Sequence, residues 1–367
     1  PPHLASSAAS DVYKRQITTL ALPARFFSWR VRGNPLTWWL SERETLARPW
    51  DAIIATSMVD IATLKGLVPS LAATPTLVYF HENQFDYPVT DRAHSSVEPK
   101  ITSIYTALAA DRVLFNSQYN RETFLTAARQ LLRKMPDGVS GDVAGLIESK
   151  SAVLPVPIAD EWFELGKTRR QNQAVTKPDK SAPKQILWNH RWEYDKGPDL
   201  LLAIVKQVVA QFPPGHFQWH IVGQQFRQVP KAFAEIKTLL ERANMLGAWG
   251  YQTKGDYCRL LGESDIVLST ALHDFQGLSV CEAVAAGCVP VLPARVAYPE
   301  RFSASAQFAV ADCDIATQAA NAVATLERQC DEGKTEDLSA LSFEQLKGQY
   351  QAQITQLLAN ESSDIGR

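Results

Sequence analysis

Several things are scarce in this chain of 367 residues, and each scarcity excludes something. No apolar run approaches the roughly 20 residues a membrane-spanning helix needs, which argues against a transmembrane protein. Net charge is almost absent: 37 Lys and Arg stand against 39 Asp and Glu, a formal -2. Coating nucleic acid non-specifically requires a cationic surplus, so that class is disfavoured while a local basic face is not. Cysteine is sparse and odd in number. Cys258, Cys281, Cys288, Cys313 and Cys330 include no CxxC pair, which reads as free thiols in a reducing cytoplasm and argues against a zinc site. There is no initiating Met, and the Ser/Ala-rich stretch from Pro1 to Gln16 lacks the basic start and apolar core of a signal peptide. Residues 1–16 read as a non-native leader and are set apart from the fold. The whole chain is 46% hydrophobic, 21% charged and 9% aromatic, the balance of a folded protein. Its length suits two domains of roughly 100–200 residues each.

From Ile17 onward short apolar runs alternate with helical stretches. Residues 17–22, 51–57, 76–81, 112–117 and 152–157 read as buried strands, and 59–67, 97–110 and 118–134 as helices between them. Strands alternating with helices imply a parallel sheet covered on both faces. Residues 167–184 are polar, with Pro178 and Pro183, and read as a linker or surface loop. The alternation then restarts, with strands expected at 185–190, 217–222, 248–251, 265–270 and 289–292. Helices are expected at 197–212, 231–243, 256–262, 277–286 and 343–358. The expected class is α/β, with two doubly wound Rossmann-like domains (17–166 and 185–340) and a terminal segment, 341–367. Such domains hold ligands outside the carboxyl ends of their strands, and two facing each other would share a cleft.

Three segments concentrate chemistry. The first, Asn189-His190-Arg191-Trp192-Glu193-Tyr194-Asp195-Lys196-Gly197, lies between an expected strand and a helix opened by Pro198. Free amides at the helix start, the forked guanidinium of Arg191 and the ammonium of Lys196 would clamp a diphosphate. The same residues also fit a surface loop in which Glu193 and Asp195 neutralise the two cations. The second segment runs from Ser269 to Ala283. Asp274 and Glu282 flank a Gly-containing turn, so Glu282 could accept ribose hydroxyls and Asp274 those of a second sugar. The amides of Gly277 and Leu278 could meet phosphate. Plain helix capping by Asp274 with a solvated Glu282 is the competing reading. The third, Val78-Tyr79-Phe80-His81-Glu82-Asn83-Gln84-Phe85-Asp86-Tyr87-Pro88, runs from an apolar strand into a dense polar cluster. There His81, Glu82, Asn83 and Gln84 occupy the working end of the first sheet.

Together these segments resemble glycosyltransferase family 4, retaining enzymes of the two-domain GT-B architecture. The finer pattern resembles the tRNA-queuosine α-mannosyltransferase group: VYFHENQFDYP, DRVLFNSQYNRETFL, ILWNHRWEYDKGPDLLL, SDIVLSTALHDFQGLSVCEAVAAGCVPVLP and VAYPERF. The resemblance implies that Arg191 and Lys196 neutralise a donor diphosphate, Glu282 binds the nucleotide ribose, and Asp274 with Gly277 and Leu278 holds the hexose. His81 would contact the hexose or the acceptor, and the last helix would cross back to the first domain. It further implies GDP-mannose as donor, queuosine in tRNA as acceptor, and a cytoplasmic setting. No metal or other cofactor is implied, and no protein partner.

This chain departs from the family in two places. Asp274 stands where the family usually has Glu, one methylene longer. The family's first strand and its Gly-containing loop have no counterpart, since residues 1–16 occupy that place. The central strand of the first domain is therefore expected to be absent. On the acceptor side, Arg25, Arg30 and Arg32 are interleaved with Phe26, Phe27 and Trp29, and Arg121, Arg129, Arg133 and Lys134 follow on a helix. Arginines meet phosphates and aromatic faces stack on splayed bases, which suits an anticodon loop. A polysaccharide or lipid acceptor, a nucleotide-sugar epimerase sharing the architecture, and an inactive binding protein are the alternatives.

Overall fold

The computed structural model describes residues 16–23, 26–86, 97–136, 139, 141–175 and 182–359. The chain divides into two compact units, Pro1–Val156 with Leu346–Arg367, and Pro157–Gln345. Residues 157–166 and 341–345 thus group with the second unit, where the sequence placed domain edges at 166 and 340.

In the first unit, helices α1 (Phe27–Ser41) and α2 (Arg43–Leu46) precede β1 (Ile53–Thr56), α3 (Ile61–Leu67) and β2 (Thr76–Phe80). Then come α4 (Glu98–Ala109), β3 (Arg112–Phe115), α5 (Gln118–Arg133), α6 (Val143–Ser149) and β4 (Ser151–Val153). The four strands form a parallel sheet in chain order. β2 is buried at every position, as an apolar TLVYF run in a parallel sheet covered on both faces should be. Alternate residues serve opposite faces. Val78, Phe80, Val113 and Phe115 enter one core with α3 to α6. Tyr79 points the other way, toward the last helix.

One expectation fails here, and one element is new. Residues 17–22 form no strand. They lie mostly exposed and without a ladder partner; Leu20 and Leu22 pack against the core of the unit, but with no neighbouring strand to pair its backbone groups the run makes no ladder. The arginine-rich segment near residue 30, to which the sequence reading gave no secondary structure, is a helix despite Gly33 and Pro35. Asn34 donates from its side chain to Arg30 O and to Met58 O, and accepts from the Asp60 amide, which anchors the turn that Pro35 interrupts.

The second unit runs α7 (Asp160–Val175), β5 (Lys184–Trp188), α8 (Pro198–Gln211), β6 (Phe217–Val222), α9 (Ala232–Arg242) and β7 (Leu246–Gly250). It continues through α10 (Lys254–Glu263), β8 (Ile266–Leu268), α11 (Leu278–Ala285), β9 (Val289–Pro293), β10 (Gln307–Phe308) and α12 (Ile315–Glu332). α13 (Phe343–Ala359) begins here and enters the first unit at Leu346. The expected linker at 167–184 is therefore helical as far as Val175, and residues 176–181 lie outside the described ones. The six parallel strands lie in the order β7-β6-β5-β8-β9-β10. Ile186 and Trp188 face a core shared with α8, α9 and α12, while Leu187 between them faces a core shared with α10 and α11. Such two-sided burial, at about 1.5–3 kcal/mol per large apolar side chain, holds the strand ends in register. No helix among the described residues is long and apolar enough to cross a membrane.

Candidate active site

The strand order of the second unit reverses between β5 and β8, and open α/β sheets bind ligands outside the carboxyl ends at such a reversal. Two of the three motifs arrive there, after Trp188 and after Leu268. Their loops are bonded to each other. The amides of Leu272 and His273 donate to Asp195 O at 2.9 and 3.2 Å, and Thr270 Oγ1 donates to Lys196 O at 2.7 Å. Gly197 makes the close approach possible: its φ is +67, and a Cβ there would stand 2.1 Å from Thr270 O.

Lys196 is buried, with Nζ donating to His273 O at 2.8 Å and lying 3.3 Å from Asp195 Oδ2 and 3.6 Å from Asp274 Oδ2. Arg191 is half exposed, 2.9 Å from Glu193 and 3.8 Å from Asp195. The ion pairs of the surface-loop reading are therefore present, at the loop where the other reading places a diphosphate. The cations sit at the mouth of the sheet, and carboxylates neutralise them. Asn189 Oδ1, His190 Nε2, Trp192 Nε1 and Asp195 Oδ2 are buried here without a hydrogen-bond partner. Such atoms are costly unless water or a ligand meets them. Burial, with Lys196 adding to it, holds the His190 imidazole down at about 3, so it is neutral.

Asp274 accepts from the Gly277 amide at 2.8 Å and from the fully buried Tyr298 hydroxyl at 3.4 Å. Burial opposes its charge, but Lys196, His190 and the amides of Gly277 and Gln276 together hold it below the usual carboxylate range. The Gly277 amide, expected to meet phosphate, is thus engaged by Asp274. Gly277 has φ +70 and opens α11, and a Cβ on it would stand 2.7 Å from the Tyr298 ring. Leu278 is the first residue of α11. Glu282, one turn in, is raised to about 6 by burial, against which the Tyr257 hydroxyl donates to it at 3.1 Å. Asn189 Nδ2 donates to Tyr257 Oη at 3.0 Å and to Ser279 O at 2.7 Å. Glu282 is therefore no solvated helix residue. Asn189, His190 and Asp195 stood inside a motif already marked, and Tyr298 in another. Tyr257 lies on α10, and no sequence spacing pointed to it.

In the first unit, β2 delivers His81, whose imidazole is lowered to about 4 by burial and packs against Tyr79 with ring centroids 4.6 Å apart. Asn116 Nδ2 donates to His81 O at 2.8 Å. Asn83, expected on the acceptor side, is 1% exposed. Its amide donates to Asn120 and Thr123 and accepts from the amides of Phe85 and Asp86. It shapes the loop rather than meeting a ligand directly. Glu82 and Gln84 are partly exposed beside it, 3.4 Å apart. Arg32 is paired within the first unit. Its guanidinium pairs with the buried Asp60, which caps α3 through the Thr63 amide at 3.0 Å, and lies 3.3 Å from Glu98. Arg121 and Arg129 are engaged by Glu148, and Arg30 Nε is buried without a hydrogen-bond partner. Arg25, Tyr87 and Pro88 lie outside the described residues. Among the described residues, no group of three or more His, Cys, Asp or Glu is placed to hold a metal ion.

The second unit thus brings two cations, Arg191 and Lys196, to the loop after β5 and a carboxylate, Glu282, one turn into α11. Comparison with known proteins agrees on where such a frame occurs. The fold is similar to sucrose-phosphate synthase from Thermosynechococcus elongatus, with a TM-score of 0.63 at 14% identity over 93% of this chain and 81% of that one. It is also similar to α,α-trehalose 6-phosphate synthase from Burkholderia multivorans, with a TM-score of 0.62 at 16% identity over 94% and 78%. These likenesses show the GT-B glycosyltransferase fold. Residues 183–329 match the family described as glycosyl transferases group 1. Residues 3–158 match the one described as tRNA-queuosine alpha-mannosyltransferase N-terminal, a match that takes in the stretch composition alone had set apart. A Drosophila melanogaster protein named tRNA-queuosine alpha-mannosyltransferase is 34% identical over 76% of this chain and 72% of its own length. The chain belongs to the tRNA-queuosine alpha-mannosyltransferase family of glycosyltransferases.

Proposed function

We propose that this protein transfers mannose, with retention, from GDP-mannose to the cyclopentene diol of queuosine in tRNA, in the cytoplasm. The observation that carries the reading is the 34% identity over three quarters of the chain to a protein of that name. The second unit supports it with two cations and a carboxylate at one strand reversal.

The donor diphosphate replaces Glu193 as the partner of Arg191 and draws on Lys196, which Asp195 and Asp274 hold in place. Glu282, ionised, accepts the ribose hydroxyls, and Tyr257 fixes its orientation. Asp274 accepts from hexose hydroxyls, oriented by the Gly277 amide and Tyr298. The bond between the sugar C1 and the phosphate oxygen then breaks with an oxocarbenium-like centre. Arg191 and Lys196 stabilise charge as it grows on the departing diphosphate, where a pre-set cation lowers the barrier most. A queuosine hydroxyl attacks C1 from the same face, and its proton passes to the leaving phosphate oxygen. His81, neutral, offers a hydrogen bond to hexose or acceptor, and Glu82 and Gln84 face the acceptor, with Asn83 shaping their loop.

Labelled GDP-mannose tests this. The label should enter tRNA that carries queuosine and stay out of tRNA that lacks it. Equal labelling of both, or conversion of the nucleotide sugar with no acceptor present, would refute the reading.

A further inference from the structure

We propose that Tyr79, backed by Tyr350 of the last helix, is a positioning residue that sets the orientation of the His81 ring. The inference rests on the role given above to His81.

Tyr79 and His81 are two residues apart along β2 and its extension, so their side chains leave the same face. Their rings meet with centroids 4.6 Å apart and planes at 46°. Tyr79 is buried, and its hydroxyl donates to Leu154 O just past β4. Tyr350, on α13, stacks over Tyr79 at 6.4 Å. Its hydroxyl donates to Pro155 O at 2.9 Å and lies 3.4 Å from that of Tyr79. Two tyrosine hydroxyls therefore engage two consecutive carbonyls of the segment by which the chain leaves the first unit, and Tyr350 lies on the segment by which it returns.

The result is a ring held from two sides. Asn116 fixes the backbone of His81 through its carbonyl, and Tyr79 limits the imidazole rotation from the side. Tyr79 is in turn held at its far end, so it cannot yield when a ligand presses on His81. A group that meets substrate must be held within roughly half an ångström of its productive place. A buried core tyrosine would serve stability alone; one whose ring packs against a site histidine also sets where that ring points.

Three variants test this: Tyr79→Leu, which removes the ring, and Tyr79→Phe and Tyr350→Phe, which remove only the hydroxyls. Tyr79→Leu should lower kcat about tenfold or more with the donor KM unchanged. The His81 imidazole, followed by NMR, should titrate higher than its starting value of about 4 as its cover is lost. Both Phe variants should show the same split, a few-fold in size, and they keep the test open if Tyr79→Leu fails to fold. An unmoved His81 titration in all variants, or a kcat loss that only follows thermal stability, would overturn the proposal. If the unaltered protein transfers no mannose, the reading of His81 fails, and the titration still decides whether Tyr79 orients that ring.

Discussion

Glu282 carries a cost the free protein bears for its site. Burial holds it at about 6 against an ordinary 4.5, so the folded chain binds that proton more tightly than the unfolded one. Stability therefore rises as pH falls from about 6 toward 4.5, and above 6 the ionised carboxylate costs about 2 kcal/mol. Glu282→Gln should accordingly melt higher than the unaltered protein at neutral pH, with the gap closing toward pH 4.5 in a series of thermal melts. Donor affinity should move oppositely and fall in the variant. In the unaltered protein, donor KM should rise as pH drops through about 6, because protonated Glu282 accepts poorly from ribose. His81 behaves differently. Held at about 4, it stays neutral, so the kcat profile should show no limb from it between about pH 5 and 8. A histidine limb near the ordinary 6.5 would contradict its burial.

Among the elements, the turns into α8 and α11 govern the site. Both open on a glycine of left-handed φ with no side-chain cap, whereas α5, α10 and α12 are capped by Ser117, Thr253 and Asp314. Gly197→Ala places a methyl against Thr270 O and should cost at least about 2 kcal/mol in urea unfolding, weakening donor binding as the two loops part. A variant as stable as the parent would show the approach to be looser than described. These turns were legible because Gly-Pro and Gln-Gly-Leu stand between an apolar run and a helical period. β6 was legible to the residue, since a buried strand is a bounded apolar run. α12 was not read, although Asp314 followed by Ala319, Ala322, Val323 and Leu326 is a cap and a buried stripe. Its small residues give a weak apolar signal. α1 was hidden by Gly33 and Pro35, whose local preference is overridden by Asn34 bonding across to Met58 and Asp60. Glu193 shows the limit at the site itself: sequence placed a carboxylate beside Arg191, and only coordinates could show the 2.9 Å pairing that a diphosphate must displace.

At the scale of the whole molecule, the proposed function gives the nucleotide to one unit and the acceptor to the other. The charge near zero and, among the described residues, the pairing of Arg32, Arg121 and Arg129 inside the first unit favour a short contact with RNA over one that follows a long backbone. Binding of queuosine-bearing tRNA should therefore weaken only modestly with salt, with a shallow slope set by few phosphate contacts. Filter binding across a salt series would measure that slope, and a steep one would require a basic face beyond those described. The division of labour itself is tested most directly by titrating GDP calorimetrically against the full chain and against Arg191→Ala, Glu282→Gln and His81→Ala. Affinity should be unaltered in His81→Ala and fall about tenfold or more in the other two, as expected when a charged hydrogen bond is removed. GDP affinity that survives in Arg191→Ala and Glu282→Gln but collapses in His81→Ala would contradict that division.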